Sequence, residues 1–343
     1  MMRLPLPWLF AITGGALALL LVGSLATGPM ALSFGESLRA LFAGQESGIA
    51  AHKLLIVQEI RLPRTLLCIA VGGILGLCGA VMQGLFRNPL ADPGIIGVSG
   101  GAALGAALAI VLLAPLGQQW QNLLGIGLLP LLAFLGGALT TTLVYLLGTR
   151  EGGTSVTVML LAGVAITALS GAVIGLLTYL ADDQMLRNLS LWQMGTLAAG
   201  KPVDVALALA TLIVLLLLFM RDANPLNALL LGEGEARHLG VNVQSLKRRL
   251  ILLTAAGVGV AVAVAGMIGF VGLVVPHLVR LLAGPNHVRL LPLSALLGAA
   301  LLLGADMLAR TLLAPAELPV GIITALLGAP FFIWLLVKGR RTL

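Results

Sequence analysis

Apolar runs long enough to cross a lipid bilayer recur along the whole of this 343-residue chain. A helix rises about 1.5 Å per residue, so about 20 apolar residues span the roughly 30 Å hydrocarbon core of a membrane. Hydrophobic residues make up 59% of the sequence and charged residues only 10%. A water-soluble protein needs more charged side chains than this to cover its surface. The sequence therefore predicts an all-α, polytopic membrane protein.

Ten transmembrane helices can be placed by hydropathy, within a single domain over residues 1–343. The first is expected to be a retained helix, because its apolar run is longer than the core of a usual signal peptide. The eighth is short for a full crossing. Ten helices divide into two halves of five with opposite orientation, as in the inverted repeats of transporters, and Gly76 and Gly79 match Gly266 and Gly269 faintly. The predicted ranges are 8–26, 64–84, 94–114, 123–147, 156–180, 203–220, 250–268, 271–283, 290–309 and 319–337.

The net charge of +7 does not indicate a nucleic-acid partner. The basic residues form short clusters between apolar runs, whereas a nucleic-acid surface has a basic stripe with stacking aromatics. With the N-terminus inside, 13 of the 20 lysines and arginines fall on the cytoplasmic side. This positive-inside pattern predicts that both termini are cytoplasmic.

Three connections between spans are long enough to hold structure of their own. In the outer segment 28–62, Ser33–Glu36 has the pattern of a capping box before a short helix over Ser37–Phe42. The outer segment 181–202 is expected to form a short helix and a turn. The inner segment 221–249 is expected to form two short helical pieces bounded by glycine turns.

Two arginines, Arg61 and Arg64, stand at the outer N-terminal end of the second span, on one helical face. Positive charge there opposes both the positive-inside bias and the helix dipole. An acidic surface on an external partner is one explanation, and contact with lipid phosphate is the other. Arg310 lies at the C-terminal end of span nine, where the dipole favours a cation, and Asp306 is placed to pair with it at i,i+4 spacing.

On the cytoplasmic side, short helices within residues 228–249 could be held rigidly against the membrane and contacted there by another protein. An ordinary basic loop that sets topology is the alternative. The turn Arg87–Gly94 contains two prolines and an Asx-type start, which make a stiff corner. Thr154 and Ser155 form a possible N-cap pair before span five. These turns are either structural caps or parts of a gate.

Catalytic, metal-binding and ion-coupling motifs are absent from the sequence. The four histidines have no ligand spacing, no Walker or nucleophile-elbow motif occurs, and Cys68 and Cys78 are expected to be packing residues. Ionisable residues such as Asp204 and Asp306 lie near span ends, whereas proton-driven transporters carry them inside the membrane. Energy is therefore expected from a separate ATPase; a secondary transporter and a polytopic membrane enzyme are the less favoured alternatives.

Stretches from residue 61 to the end resemble the iron-chelate and vitamin B12 uptake permeases (FecCD type) of bacterial ABC importers. The matching stretches are Arg61–Arg64, Gly79–Gly94, Gly97–Ser99, Leu231–Glu233, Ala236, Leu239–Val241, Gly269–His277, Arg280, Glu317–Gly321 and Leu327–Phe332.

The resemblance implies the type II ABC importer permease fold and transport by alternating access across the bacterial inner membrane. It implies a homodimer of permeases, two cytoplasmic ATPase subunits and a periplasmic substrate-binding protein. The chain itself would be no enzyme and would hold no metal or cofactor, because ATP and Mg²⁺ bind to the partner ATPase.

The resemblance also assigns roles to individual residues. Arg61, Arg64 and Arg310 would dock the binding protein. The cytoplasmic gate would be formed by Asn88, Leu90, Thr154 and Ser155. Coupling to the ATPase would fall to Leu231, Gly232, Glu233, Ala236, Arg237, Leu239 and Gly240.

The segment from Tyr179 to Gly195 looks most like the haem-uptake members of this family, so haem is the expected cargo. A ferric siderophore or cobalamin is the alternative. The pathway is expected to be apolar and weakly binding, because a transport channel must release what it carries.

Overall fold

A computed structural model describes residues 5–28, 30, 32–42, 50–116, 127–150, 153–198 and 200–339. Helices dominate this part of the chain, and a two-stranded antiparallel hairpin, Thr149–Arg150 (β1) and Gly153–Thr154 (β2), joins two of them. The α-helices are Leu6–Ala26 (α1), Phe34–Phe42 (α2), Ala51–Leu55 (α3), Leu62–Leu85 (α4), Val98–Val111 (α5), Leu128–Gly148 (α6), Val156–Leu180 (α7), Asp183–Gln193 (α8), Pro202–Arg221 (α9), Ala223–Leu230 (α10), Glu233–His238 (α11), Val243–Ala265 (α12), Val271–Ala283 (α13), His287–Thr311 (α14) and Val320–Gly339 (α15).

Each of the ten predicted spans corresponds to one apolar helix, so the all-α, ten-helix prediction is confirmed. In the described part of the chain, seven of these helices are long and apolar enough to cross a membrane by themselves, namely α1, α4, α6, α7, α9, α12 and α14. The other three have shorter apolar stretches, namely α5, α13 and residues Val320–Leu335 of α15. Residues 123–126 of the predicted fourth span lie outside the described residues.

The predicted short elements also form. The Ser33 hydroxyl accepts a hydrogen bond from the Glu36 N–H, and the Glu36 carboxylate accepts one from the Ser33 N–H. This capping box starts α2 at Phe34, three residues earlier than predicted, because a cap lies immediately before its helix. The outer segment 181–202 contains α8, which begins after its N-cap Asp182. The inner segment contains the two predicted pieces, α10 and α11.

Helix α4 forms the centre of the bundle and is buried along almost its whole length, with α9, α12, α13 and α14 packed around it. Glycines allow the closest of these contacts. A Cβ on Gly72 would lie 2.4 Å from the carbonyl oxygen of Gly298 in α14, and one on Gly79 would lie 1.9 Å from that of Gly272 in α13. Helix association in lipid relies on such close backbone packing, because the hydrophobic effect is missing there.

The helical conformation is interrupted between α12 and α13, and this break comprises residues 266–270. Gly266 ends α12 with a φ of +70°, and α13 begins only at Val271, after Phe270 with a φ of +68°. Helix α13 has 13 residues, about 20 Å by helix geometry. It packs beside α4 at Gly79, and the unwound residues 266–270 precede it, so the eighth predicted span is a short helix. The glycine match proposed for inverted halves is wrong in detail, since Gly76 and Gly79 are helical whereas Gly266 and Gly269 are not.

The bundle has two polar ends. The arginine end contains the C-terminus of α1, the N-terminus of α4 and the C-terminus of α14. The coupling end contains the C-terminus of α4, the β1–β2 hairpin, α10, α11 and the beginnings of α12 and α14. Between the ends, few residues of α1, α7 and α9 are buried within the chain, as expected of faces that meet lipid or another subunit.

Candidate functional site

At the arginine end, Arg61 caps the end of α1. Its guanidinium donates to the carbonyl oxygens of Leu25 (2.7 Å), Ala26 (2.9 Å) and Met30. The last carbonyls of a helix have no partner within it and carry the negative end of its dipole, so a cation there is stabilising. Gly28 leaves the room, because a Cβ at this position would lie 2.9 Å from the guanidinium.

Arg64 and Arg310 share one buried carboxylate, that of Asp306. Arg64 Nη2 lies 2.9 Å from Asp306 Oδ1, and Arg310 Nε lies 3.0 Å from Asp306 Oδ2. Arg64 Nη1 also donates to Glu317 at 2.7 Å, and Arg310 Nη2 donates to the Ser24 hydroxyl at 2.7 Å. This network joins α1, α4, α14 and the segment before α15, and it includes the predicted i,i+4 pair of Asp306 and Arg310.

The three arginines therefore have partners inside the chain. For Arg61 and Arg64, these internal partners are an explanation besides the external acidic surface and the lipid phosphate considered from the sequence. Arg61, Arg64 and Arg310 are 4%, 6% and 2% exposed. Two carboxylates accompany these three cations, and of the three Arg61 is the one that forms no ion pair within the described residues. Their predicted role in docking a binding protein is addressed by no contact in the structure.

At the coupling end, α11 lies between two glycine turns, at Gly232 with a φ of +129° and at Gly240 with a φ of +82°. Leu231 and Leu239 flank the helix and are 69% and 64% exposed. Arg237 is also exposed, together with most of the polar face. One exposed leucine therefore lies near each end of this short helix, where another protein could contact it.

One residue assigned to this surface points the other way. Ala236 is fully buried and belongs to the main core, so it anchors α11 and cannot itself contact a partner. Its small side chain faces inward because the helix needs one packed face to stay on the bundle. Glu233 is half-buried and forms an ion pair with Lys247 of α12, with Nζ and Oε1 2.6 Å apart.

The residues assigned to a gate lie in two turns at this same end. Asn88 accepts the N–H of Leu90 at 2.9 Å, which forms the predicted Asx turn, and both residues are exposed. Ser155 caps α7 by accepting the N–H of Val158. Thr154 is not part of the cap, because it lies in β2.

Side chains from the first turn of α12 hold Thr154 in place. Lys247 Nζ donates to the Thr154 carbonyl oxygen at 3.0 Å, and the Thr154 N–H donates to Gln244 Oε1, also at 3.0 Å. In the sequence, Lys247 is one of the 13 basic residues on the predicted cytoplasmic side, and no motif marks Gln244. The i,i+3 spacing of these two residues, which puts both on one face of α12, is the local signal that could have linked them.

An apolar cavity of about 430 Å³ lies at the break between α12 and α13. Its walls include Gln193 and Met194 at the C-terminal end of α8, the unwound residues 267–270 and the beginning of α15. Asp92, which also lines it, accepts the Gly94 N–H at 2.7 Å. Burial raises the pKa of the Asp92 carboxyl, and the hydrogen bond from Gly94 opposes this rise.

Comparison with known proteins identifies this architecture. The model of the FecCD transport family matches residues 16–338, almost the whole chain. The chain belongs to the FecCD transport family. It is accordingly an ABC importer permease, a transport subunit of the class indicated by the resemblance in the sequence.

Individual relatives agree with this assignment. The hemin transport system permease protein HmuU of Yersinia pestis is 47% identical over 95% of this chain and 94% of its own length. The vitamin B12 import system permease protein BtuC of Klebsiella pneumoniae is 41% identical over 97% of this chain and 94% of its own. A solved structure, an inward-facing conformation of a metal-chelate type ABC transporter, superimposes with a TM-score of 0.82 at 33% identity, covering 97% of this chain and 99% of that one.

Proposed function

We propose that the chain imports haem. The observation that carries this proposal is the 47% identity to a hemin permease over nearly the full length of both chains. Vitamin B12 permeases are also similar, so cobalamin is the second candidate.

The position of the haem-like segment, Tyr179 to Gly195, supports the proposal. This segment contains α8, and Met194 and Gly195 accept hydrogen bonds from the N–H groups of Gly321 and Val320 at the start of α15. Gln193 and Met194 also line the apolar cavity. A segment that lines an apolar space is placed to contact an apolar cargo such as haem.

The subunit is proposed to work as one of two identical permeases in the bacterial inner membrane, with both termini cytoplasmic. The coupling end would face two ATPase subunits, which bind ATP and Mg²⁺, and the exposed Leu231 and Leu239 support this placement. No reaction is assigned to the permease itself. The gate turns at Asn88–Leu90 and Thr154–Ser155 would open and close the pathway as the two sides exchange access.

A periplasmic substrate-binding protein is proposed to dock at the arginine end. Arg61, which forms no ion pair within the described residues, would contribute a local positive field that attracts an acidic group on a partner. Arg61, Arg64 and Arg310 are buried. They would therefore contribute to docking by holding the arginine end in its folded shape and by supplying this field. Binding should therefore weaken as salt screens the field.

Growth on a single iron source tests the cargo. A strain that lacks this gene should fail to grow when hemin is the only iron source, and it should recover when the gene is restored. Normal growth on hemin combined with failed uptake of cyanocobalamin would reject haem in favour of cobalamin, and it would leave the importer assignment intact.

A further inference from the structure

The gate turn at Thr154 is held by one face of α12. Gln244 accepts its N–H and Lys247 donates to its carbonyl oxygen, so both backbone polar groups of this residue are bound by side chains from a single helical turn. Gly153 allows the contact. It has a φ of +112°, and a Cβ there would lie 2.4 Å from Gln244 Nε2.

The same lysine holds the helix proposed to face the ATPase. Lys247 Nζ lies 2.6 Å from Glu233 Oε1 in the first turn of α11. The lysine side chain is 2% exposed, whereas that of Glu233 is 32% exposed. One buried ammonium thus joins a carboxylate near the surface to a carbonyl of the gate turn, and Glu233 is its carboxylate partner among the described residues.

Because the Lys247 ammonium is buried, separating it from the Glu233 carboxylate would cost free energy. A buried charge that loses its counter-ion is strongly destabilised, so Glu233 cannot move away while Lys247 stays in place. If a partner displaces α11, the ammonium must follow its carboxylate or give up its charge pair. In either case, the hydrogen bond from Lys247 to the Thr154 carbonyl is altered.

We propose that Lys247 is the positioning residue that transmits movement of α11 to the gate turn at Thr154. Gln244, on the same face of α12, is the second side chain that binds this turn. This inference rests on the proposed function, since it takes α11 as the ATPase contact and Thr154 as part of a gate. A purely structural role would affect stability alone. A transmitting role would separate ATP hydrolysis from transport.

The test uses the complete complex of permease, ATPase and binding protein in proteoliposomes, with ATP in the lumen and hemin outside, and cyanocobalamin in parallel. Lys247→Met removes the ammonium and keeps the length of the side chain. Arg248→Met is the matched control, because it removes the same charge from the next residue, which is exposed. ATP hydrolysis and uptake are measured in the same vesicles.

We expect Lys247→Met to keep ATP hydrolysis within about twofold of the control while uptake per ATP falls about tenfold, which is within the usual range of coupling between sites. Lys247→Arg should restore part of that ratio. An unchanged ratio, or a parallel loss of hydrolysis and uptake in an assembled complex, would overturn the inference.

A variant that does not assemble and an inactive wild-type complex have separate consequences. If Lys247→Met does not assemble, Glu233→Gln and Gln244→Met replace it, and a ratio equal to that of the control in both would overturn the inference. A wild-type complex that hydrolyses no ATP and imports neither probe would instead overturn the proposed function.

Discussion

Replacing Asp306 with asparagine removes the one negative charge between two buried guanidinium groups while nearly keeping the shape of the side chain. Asp306 is fully buried and lies within 3.0 Å of both Arg64 and Arg310. Glu317 pairs with Arg64 in the same network, but its side chain is 33% exposed. Asp306→Asn and Glu317→Gln therefore make the same chemical change at a buried and at a partly exposed position.

The two variants should differ in cost. Removing one partner of a buried ion pair costs about 3–5 kcal/mol, because the remaining charge has neither water nor a counter-ion. An exposed pair contributes about 0.2–1 kcal/mol. Asp306→Asn is thus expected to lower the free energy of unfolding by at least about 2 kcal/mol more than Glu317→Gln does.

Denaturant unfolding of the purified permease in one detergent, with both variants and the wild type side by side, measures these costs. Arg64→Met alone and combined with Asp306→Asn completes a double-mutant cycle. The combined variant should lose clearly less than the sum of the two, because the residues are in direct contact. Equal costs for Asp306→Asn and Glu317→Gln, or strict additivity in the cycle, would refute the buried network as the main stabilising feature of this end.

Two further predictions concern packing and pH. Gly79→Ala would place a Cβ 1.9 Å from the Gly272 carbonyl oxygen and should lower the free energy of unfolding by about 1–3 kcal/mol or more. Gly14→Ala, in the open face of α1, should be neutral or stabilising. Equal melting temperatures of the two variants in a thermal unfolding assay would contradict this. The hydrogen bond from Lys53 holds the pKa of Glu36 at about 2, below its ordinary value of 4.5, so its stabilisation of α2 is present above that value and is lost as the pH falls toward 2. Hydrogen exchange of the α2 amides, corrected for the intrinsic effect of pH, should accelerate over this pH interval in the wild type and not in Glu36→Gln. Identical profiles in the two proteins would show that the Lys53–Glu36 pair does not stabilise the helix.

Local patterns in the sequence were sufficient to predict the helices. Each span follows from a continuous apolar run, and α2 follows from the Ser33–Glu36 capping box, because both signals lie within a few neighbouring residues. The pair Asp306–Arg310 was predictable for the same reason, since i,i+4 residues share one helix face. The break before α13 was expected only as a short eighth span.

Partners distant in the chain were not predictable. Arg64 meets Asp306 and Glu317 across more than 240 residues, and Lys247 meets Thr154 across 93. Charge patterns show that a residue is unusual for its position, but they do not reveal which side chain or carbonyl the folded bundle brings to it. This is why the arginines were explained first by an external partner, and why Lys247 was counted as one of several topological charges.

The energy source of transport decides whether this chain works as an ABC importer permease. Uptake of hemin is followed in proteoliposomes that contain the permease with its ATPase, with the binding protein outside, with and without ATP in the lumen, and with and without a protonophore. An ABC importer permease predicts uptake that requires lumenal ATP and persists with the protonophore. Uptake that ignores ATP and is abolished by the protonophore would contradict the account and restore a secondary transporter.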